Sequence, residues 1–233
     1  MAAFVLVHGG GHRSWHWHLL RPVLEQLGHD TITPDVPMDD ASAGASDWAD
    51  VIVEAIADVG HRDDVLLVGH SLAGLAVPIV GARVRLRRMV FLCANVPLPG
   101  VSYEEYLADY PDAVTIPPVT FDQQGRLTVT WEAARELFYG DCDEALAREA
   151  YAHLVPSAAL IANREKCPLD AWPDVPSSYV LCAEDRIIGP RWSRRVSVER
   201  LGAPAIELPG SHSPFLSRPE HLASVLDGLV GPR

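Results

Sequence analysis

The sequence predicts an α/β fold, with a mostly parallel, doubly wound sheet and an inserted cap of helices and a hairpin. Short runs of Val, Ile and Leu alternate with helical periodicity over residues 1–96 and again over 177–233, which is typical of βαβ units. Between them, residues 97–176 hold nine of the 19 prolines and 14 acidic against five basic residues. We therefore predict a core domain of residues 1–96 and 177–233 and a cap of residues 97–176.

The first part of the core supplies four strands and three helices. Continuous apolar runs predict strands over 3–7, 30–33, 65–68 and 88–93. A helix is expected after Ser14, as its N-cap, and before Gly28. Apolar spacing predicts a second helix over 51–59, ended by Gly60, and a third over 72–84 despite Pro78.

The remaining elements follow the same logic. A Gln124-Gly125 turn within residues 119–130 predicts a hairpin, and residues 131–154 are expected to be helical. Strands over 179–182 and 204–208 flank a helix over 192–200. Ser217 and Glu220 form an S-x-x-E pattern that predicts a capping box at the start of the last helix, with Pro219 in its first turn.

Charge and composition exclude several kinds of partner. The 233 residues include 19 Lys and Arg against 31 Asp and Glu, a net charge of −12, so the protein's field repels nucleic acids and anionic membranes. Residues 72–82, the longest apolar stretch, reach about half of the ~20 residues that cross a bilayer. The N-terminus lacks the basic flank of a secretion signal. We expect neither nucleic acid nor a membrane as partner, and a homodimer remains open.

The lysine and cysteine content limits the reactions and the cellular compartment that we expect for this protein. Lys166 is the only lysine, which argues against Schiff-base chemistry and nucleotide binding by a P-loop. Cys93, Cys142, Cys167 and Cys182 show neither C-x-x-C pairing nor zinc-site spacing. They are predicted to be packed thiols in a reducing compartment, with the cytoplasm as the expected location.

The segment Gly69-His70-Ser71-Leu72-Ala73-Gly74 lies between a predicted strand and a predicted helix. A sharp strand-to-helix turn of this kind exposes a serine hydroxyl at the carboxyl edge of the sheet, and small neighbours keep it accessible. Ala73 stands where the G-x-S-x-G pattern has glycine, a small departure. Ser71 is therefore the predicted nucleophile.

The run His8-Gly9-Gly10-Gly11 ends the first strand and matches the oxyanion loop of esterases and lipases. Acyl transfer places negative charge on a carbonyl oxygen, which backbone N–H groups stabilise when they are already in position. We predict that the N–H groups of Gly10 and Leu72 form this oxyanion hole. Glycines suit the loop because its backbone must approach the substrate.

A serine nucleophile needs a base, and the base needs an orienting carboxylate. Asp185 follows the predicted strand 179–182, and His212 lies 27 residues later, so both fall in loops at the carboxyl edge of the sheet. We predict Asp185 and His212 as the acid and the base, with Glu184 and Asp174 as the other candidates for the acid.

These segments, together with Ala183-Glu184-Asp185-Arg186 and residues 210–219 (GSHSPFLSRP), resemble the α/β-hydrolase superfamily over nearly the whole chain. The compact form is similar to the branch that includes plant methyl esterases, hydroxynitrile lyases and related bacterial esterases. The resemblance implies a cap over the Ser71 pocket. It also implies hydrolysis of small, mostly apolar carboxylic esters through an acyl-enzyme, with a small-molecule ester as partner and no cofactor.

Three other hypotheses stay open. A hydroxynitrile lyase of this branch uses a lysine directly after the catalytic histidine, whereas Ser213 follows His212 here. A ligand receptor of the same fold would bind without turnover. The cluster of His12, His16 and His18 could indicate a metal site, although no cysteine or carboxylate nearby completes a ligand set.

Overall fold

The computed structural model describes residues 1–58, 64–115 and 118–231. Its central sheet has six strands in the order β2-β1-β3-β4-β7-β8, all neighbours being parallel, and a separate antiparallel pair joins β5 to β6. The predicted parallel sheet and hairpin are thus confirmed. The strands are β1 (Ala3–Val7), β2 (Asp30–Ile32), β3 (Val65–His70), β4 (Arg88–Leu92), β5 (Val119–Phe121), β6 (Leu127–Val129), β7 (Ser177–Cys182) and β8 (Ile206–Leu208).

Helices flank the sheet, where α1 packs against α9 and α2 packs against α3. The α-helices are α1 (Leu20–Gln26), α2 (Ala45–Asp58), α3 (Val77–Arg83), α4 (Tyr103–Leu107), α5 (Trp131–Leu137), α6 (Glu144–Ala152), α7 (Pro190–Leu201), α8 (Pro214–Ser217) and α9 (Pro219–Gly228). Short 3₁₀ helices span Ser14–Trp17, Ser71–Leu75 and Ala159–Asn163. None of the helices within the described ranges has both the length and the hydropathy that a membrane span requires.

The strand order fixes where a ligand can bind. From β1 the chain moves outward to β2 and then returns to β3 on the other side of β1. Every residue of β1 and β3 is buried, as expected for apolar strands covered on both faces. The chain therefore leaves β1 towards one side of the sheet and β3 towards the other, and the carboxyl edge between them is the position at which open α/β sheets bind ligands.

Two predicted helices are interrupted in the structure. The expected helix over 72–84 is a 3₁₀ turn followed by α3, which has Pro78 in its first turn. Proline lacks an N–H and is tolerated there but not in a helix interior. The expected helix over 131–154 divides into α5 and α6, because Asp143 accepts a hydrogen bond from the N–H of Leu146 and so starts a new helix.

Two predicted caps are wrong. Ser14 is the first residue of a 3₁₀ helix, and its hydroxyl donates to Asp35 at 3.1 Å. Ser217 ends α8 instead of capping α9, and its buried hydroxyl has no hydrogen-bond partner among the described residues, so the capping box is not formed. Pro219 does begin α9 as predicted. The predicted end of the second helix, at Val59 and Gly60, lies outside the described residues.

Candidate active site

Ser71 lies at the turn between β3 and the following 3₁₀ helix, with a backbone φ of +53°. A positive φ is uncommon for a residue with a side chain and marks local strain. It is the conformation that the sequence predicts for an exposed nucleophile.

Close packing explains the small residues around Ser71. A Cβ on Gly69 would lie 2.3 Å from Val77 Cγ2, and one on Gly74 would lie 2.0 Å from the carbonyl oxygen of Asn95. The N–H of Asn95 donates to the carbonyl oxygen of Ser71 at 3.0 Å, which ties the turn to the end of β4. Glycines at positions 69 and 74 thus allow the helix to pack close to the sheet.

The loop after β1 lies against this turn. A Cβ on Gly9 would lie only 2.7 Å from Ser71 Cβ. The carbonyl oxygen of Gly9 accepts hydrogen bonds from the N–H of His12, at 3.2 Å, and from Nδ1–H of His8, at 3.0 Å. The N–H of Val36 donates to His8 Nε2, which leaves the ring proton on Nδ1.

This arrangement orients the peptide between Gly9 and Gly10. The C=O and N–H of a planar trans peptide point in opposite directions, so fixing the Gly9 carbonyl also fixes the N–H of Gly10. The next carbonyl, that of Gly10, accepts from His12 Nδ1–H at 3.0 Å, while Tyr139 donates its hydroxyl proton to His12 Nε2 at 3.2 Å. His8 and His12 therefore hold the carbonyl groups of Gly9 and Gly10 in the glycine loop.

Asp185 and His212, which are 27 residues apart, meet at 2.9 Å between Asp185 Oδ2 and His212 Nδ1. Both side chains are buried. Asp185 Oδ1 accepts from the N–H groups of Ile187 and Ile188 at 2.8 and 3.1 Å. With both oxygens bonded, the carboxylate is suited to hold the imidazole with its Nδ1 protonated and Nε2 free to accept a proton.

His70 connects the nucleophile turn to the base. Its Nε2–H donates to the carbonyl oxygen of His212 at 2.9 Å, and the two rings lie 4.6 Å apart between centroids. His70 thus packs against the His212 ring and bonds to the His212 backbone. Within the described residues, Ser71 and His212 themselves form no direct hydrogen bond, and such bonds often tighten only when substrate binds.

Ser71 opens onto a cavity of about 150 Å³. Gly10 and Leu72, the predicted oxyanion residues, line the same cavity. Its remaining wall is mostly apolar and includes Phe138, whose ring centroid lies 6.0 Å from that of His212. Ten lining residues belong to the 97–176 segment, namely Val114, Thr115, Val119, Leu127, Val129, Phe138, Leu154, Val155, Ser157 and Asn163.

Burial keeps the neighbouring histidines neutral. It lowers the pKa of His8 and of His16 from 6.5 to about 4, and it lowers the pKa of His12 and of His70 well below 6.5. For His12 and His70, repulsion from other histidines acts in the same direction. These rings therefore serve near pH 7 as neutral hydrogen-bonding groups.

Comparison with known proteins decides the family. The family model "Alpha/beta hydrolase family" matches residues 4–225. This chain belongs to the α/β hydrolase family. Its predicted resemblance to the plant esterase branch is confirmed as well, by the relatives that follow.

Three relatives illustrate the similarity. Norfluorocurarine synthase 2 of a Strychnos species is 27% identical over 254 residues, covering 96% of this chain and 93% of the relative. Salicylic acid-binding protein 2 of Nicotiana tabacum is 25% identical, covering 96% and 95%. The crystal structure of polyneuridine aldehyde esterase superposes with a TM-score of 0.81 at 21% identity, covering 99% of this chain and 100% of the other.

The alternative site residues of this α/β hydrolase lie elsewhere. Glu184 and Asp174 are exposed. His12 and His18 use ring nitrogens in hydrogen bonds to backbone carbonyls, and in the described part of the chain the predicted histidine cluster does not form a group that could hold a metal. The four cysteines are buried and free, as predicted.

Sequence reasoning missed three features of the site. The buried thiol of Cys93 lies with the Asp185–His212 pair, the candidate ligand atoms of the three residues falling within 4.8 Å of one another. Asp185 and His212 already bond to each other, so we assign no metal to this group of three residues. Asn95 and Asn163 also line the cavity. No spacing pattern marks either asparagine, because each reaches the site through a loop or an irregular turn.

Proposed function

We propose that this α/β hydrolase cleaves small, mostly apolar carboxylic esters through an acyl-enzyme on Ser71. The observation that carries the proposal is the buried Asp185–His212 pair, bonded at 2.9 Å, in which His212 also bonds to His70. His70 directly precedes the positive-φ serine that faces an apolar cavity. Such a constellation suits acyl transfer, since a base oriented by a carboxylate activates a serine hydroxyl.

In the proposed first half-reaction, Ser71 Oγ attacks the ester carbonyl carbon while His212 Nε2 takes its proton. The carbonyl oxygen gains negative charge and is stabilised by the N–H groups of Gly10 and Leu72. Collapse of this intermediate breaks the bond to the alkoxy oxygen, which leaves as alcohol with the proton from His212. Asp185 stabilises the imidazolium that forms between these events.

The second half-reaction repeats the sequence with water. His212 takes a proton from water, whose oxygen attacks the acyl carbon, and the bond to Ser71 Oγ then breaks. Ser71 regains its proton from His212, and the carboxylic acid leaves. No redox or metal chemistry is required for either half-reaction.

We further propose that residues 97–176 act as the cap of the core domain. Supporting this role, the segment supplies ten of the residues that line the cavity, and seven of these ten are apolar. An apolar wall favours esters whose acyl group is hydrocarbon, because burying apolar surface contributes about 25 cal/mol per Å². The acidity of the segment disfavours strongly anionic substrates.

The relatives support ester hydrolysis and supply a competing hypothesis. One is named an esterase, and another is named a salicylic acid-binding protein. Ligand binding without turnover is therefore the second candidate. A lyase remains disfavoured because Ser213, not lysine, follows His212. A cytoplasmic location and a homodimer stay predictions.

A panel of methyl and p-nitrophenyl esters of increasing acyl size tests the proposal on the wild type and on Ser71→Ala. We expect hydrolysis of the smaller apolar esters by the wild type and a loss of at least about 10³-fold in Ser71→Ala. Saturable binding of an aromatic acid with no hydrolysis of any ester would instead favour the ligand-binding function.

A further inference from the structure

Asn95 contributes a buried amide to the catalytic cavity. The residue is 5% exposed and follows β4 by three positions. Its N–H donates to the carbonyl oxygen of Ser71, and its own carbonyl oxygen lies against Gly74. Because both backbone groups face the nucleophile turn, the carboxamide is the polar group that Asn95 offers to the cavity. This carboxamide forms no hydrogen bond within the described residues.

Asn163 supplies a second amide to the same region. It ends the 3₁₀ helix Ala159–Asn163 and lines the catalytic cavity. Its Oδ1 is buried and has no hydrogen-bond partner in the described part of the chain. Leaving a buried polar atom unsatisfied is unfavourable, because it has lost its hydrogen bonds to water. A ligand that bonds to it would remove this cost.

The two asparagines mark the boundary between two cavities. A second cavity, of about 330 Å³, shares Asn95, Asn163 and Val114 with the catalytic cavity. Its other walls combine apolar and aromatic residues, including Leu107 and Tyr110, with Glu104 and Arg164, which form an ion pair with each other. An aromatic or aliphatic group can therefore pack against the rings of this cavity. A substrate that extends from Ser71 into this second cavity must pass the two carboxamides.

We propose that Asn95 and Asn163 form a subsite for a hydroxyl group on the acyl part of the ester. The substrate class is then an ester of a hydroxy acid, with its hydrocarbon end in the second cavity. The assignment rests on the proposed ester hydrolysis and adds the identity of the acyl group.

A hydroxyl fits the subsite because it both donates and accepts a hydrogen bond. It donates to an amide oxygen, such as the unsatisfied Asn163 Oδ1, and accepts from an amide N–H of the other asparagine. An ether or a ketone in the same place only accepts, and a methylene does neither. The subsite should therefore rank hydroxy esters above methoxy esters, and methoxy esters above unsubstituted ones.

Three matched substrates test this ranking in the full-length protein: the methyl esters of 2-hydroxy-, 2-methoxy- and unsubstituted 3-phenylpropanoic acid, with both enantiomers of the substituted ones. We expect kcat/KM for one hydroxy enantiomer to exceed that for the unsubstituted ester by about tenfold or more, the equivalent of one hydrogen bond in a closed site. Equal kcat/KM for the three esters would overturn the proposal.

Two variants assign the effect to the asparagines. Leucine has the same number of side-chain heavy atoms as asparagine and the same branching at Cγ, but it cannot form hydrogen bonds. Asn95→Leu and Asn163→Leu should each reduce the hydroxy-to-unsubstituted ratio about tenfold. Hydrolysis of the unsubstituted ester reports whether the variant is folded and whether ester cleavage itself persists. Gln123→Leu is the control, because it makes the same kind of amide-to-leucine change at an exposed residue that lines neither cavity, and it should leave the ratio unchanged. An unchanged ratio in both asparagine variants would refute the subsite while leaving the proposed hydrolysis intact.

Discussion

Replacing Gly9 by alanine should impair catalysis without removing any catalytic group. The new Cβ would lie 2.7 Å from Ser71 Cβ and 3.0 Å from His70 Nδ1, whereas ordinary contacts begin near 3.4 Å. The loop and the nucleophile turn must separate by about 0.7 Å to relieve this contact. Because a misplacement of about 1 Å can cost on the order of 10²-fold in rate, we expect kcat for a short p-nitrophenyl ester to fall about 10²-fold in Gly9→Ala.

Two further glycine variants calibrate the result. Gly10→Ala keeps the backbone N–H and places its Cβ 3.4 Å from Ser157 Oγ and 3.5 Å from Leu72 Cδ2. These are nearly ordinary contacts, so the decrease in kcat should be much smaller than in Gly9→Ala. Gly228→Ala has no atom within 4 Å of the new Cβ and serves as the neutral control. Thermal unfolding of each variant confirms that the folded state is being assayed. Wild-type kcat in Gly9→Ala would refute the argument that this loop positions Ser71.

Two other predictions concern the acid and the buried histidines. Asp185→Asn should lower kcat by about 10⁴-fold, because the imidazole loses its orienting carboxylate, while Glu184→Gln, an exposed neighbour, should stay within about twofold; equal losses would contradict the assignment. Burial lowers the pKa of His8 and of His16 to about 4 in the folded protein, whereas both have the ordinary value of 6.5 in the unfolded chain. Between pH 4 and 6.5 the unfolded chain therefore binds more protons than the folded protein. Stability is therefore complete above about pH 6.5 and falls as the pH drops to 4, by up to about 3 kcal/mol per histidine; urea midpoints that do not change between pH 7 and 4.5 would contradict this.

The sequence was most informative where a residue type has one local purpose. Apolar runs predicted the buried strands, and the position of Ser71 after β3 predicted its turn. The sequence was least informative where tertiary contacts decide which local structure a segment adopts. Ser217 has the spacing of a helix cap relative to Glu220, yet it is the last residue of the short helix α8 and therefore does not cap α9.

The same limit applies to the site. Asp185 and His212 could be predicted because both follow strands at the carboxyl edge of the sheet. The hydrogen bond from His12 to Gly10 could not, because it depends on Tyr139, 127 residues away, to fix the ring. Asn95 and Asn163 likewise converge only in the folded chain, 68 positions apart in the sequence.

Covalent labelling tests the central claim most directly. The wild-type protein is incubated with an alkyl fluorophosphonate, and the adduct is located by mass spectrometry of the intact protein and of its peptides. We predict a single adduct on Ser71 that forms far more slowly in His212→Gln, since the serine then lacks its base. An unlabelled Ser71, or a rate that does not change in His212→Gln, would contradict an acyl-transfer site built on these residues.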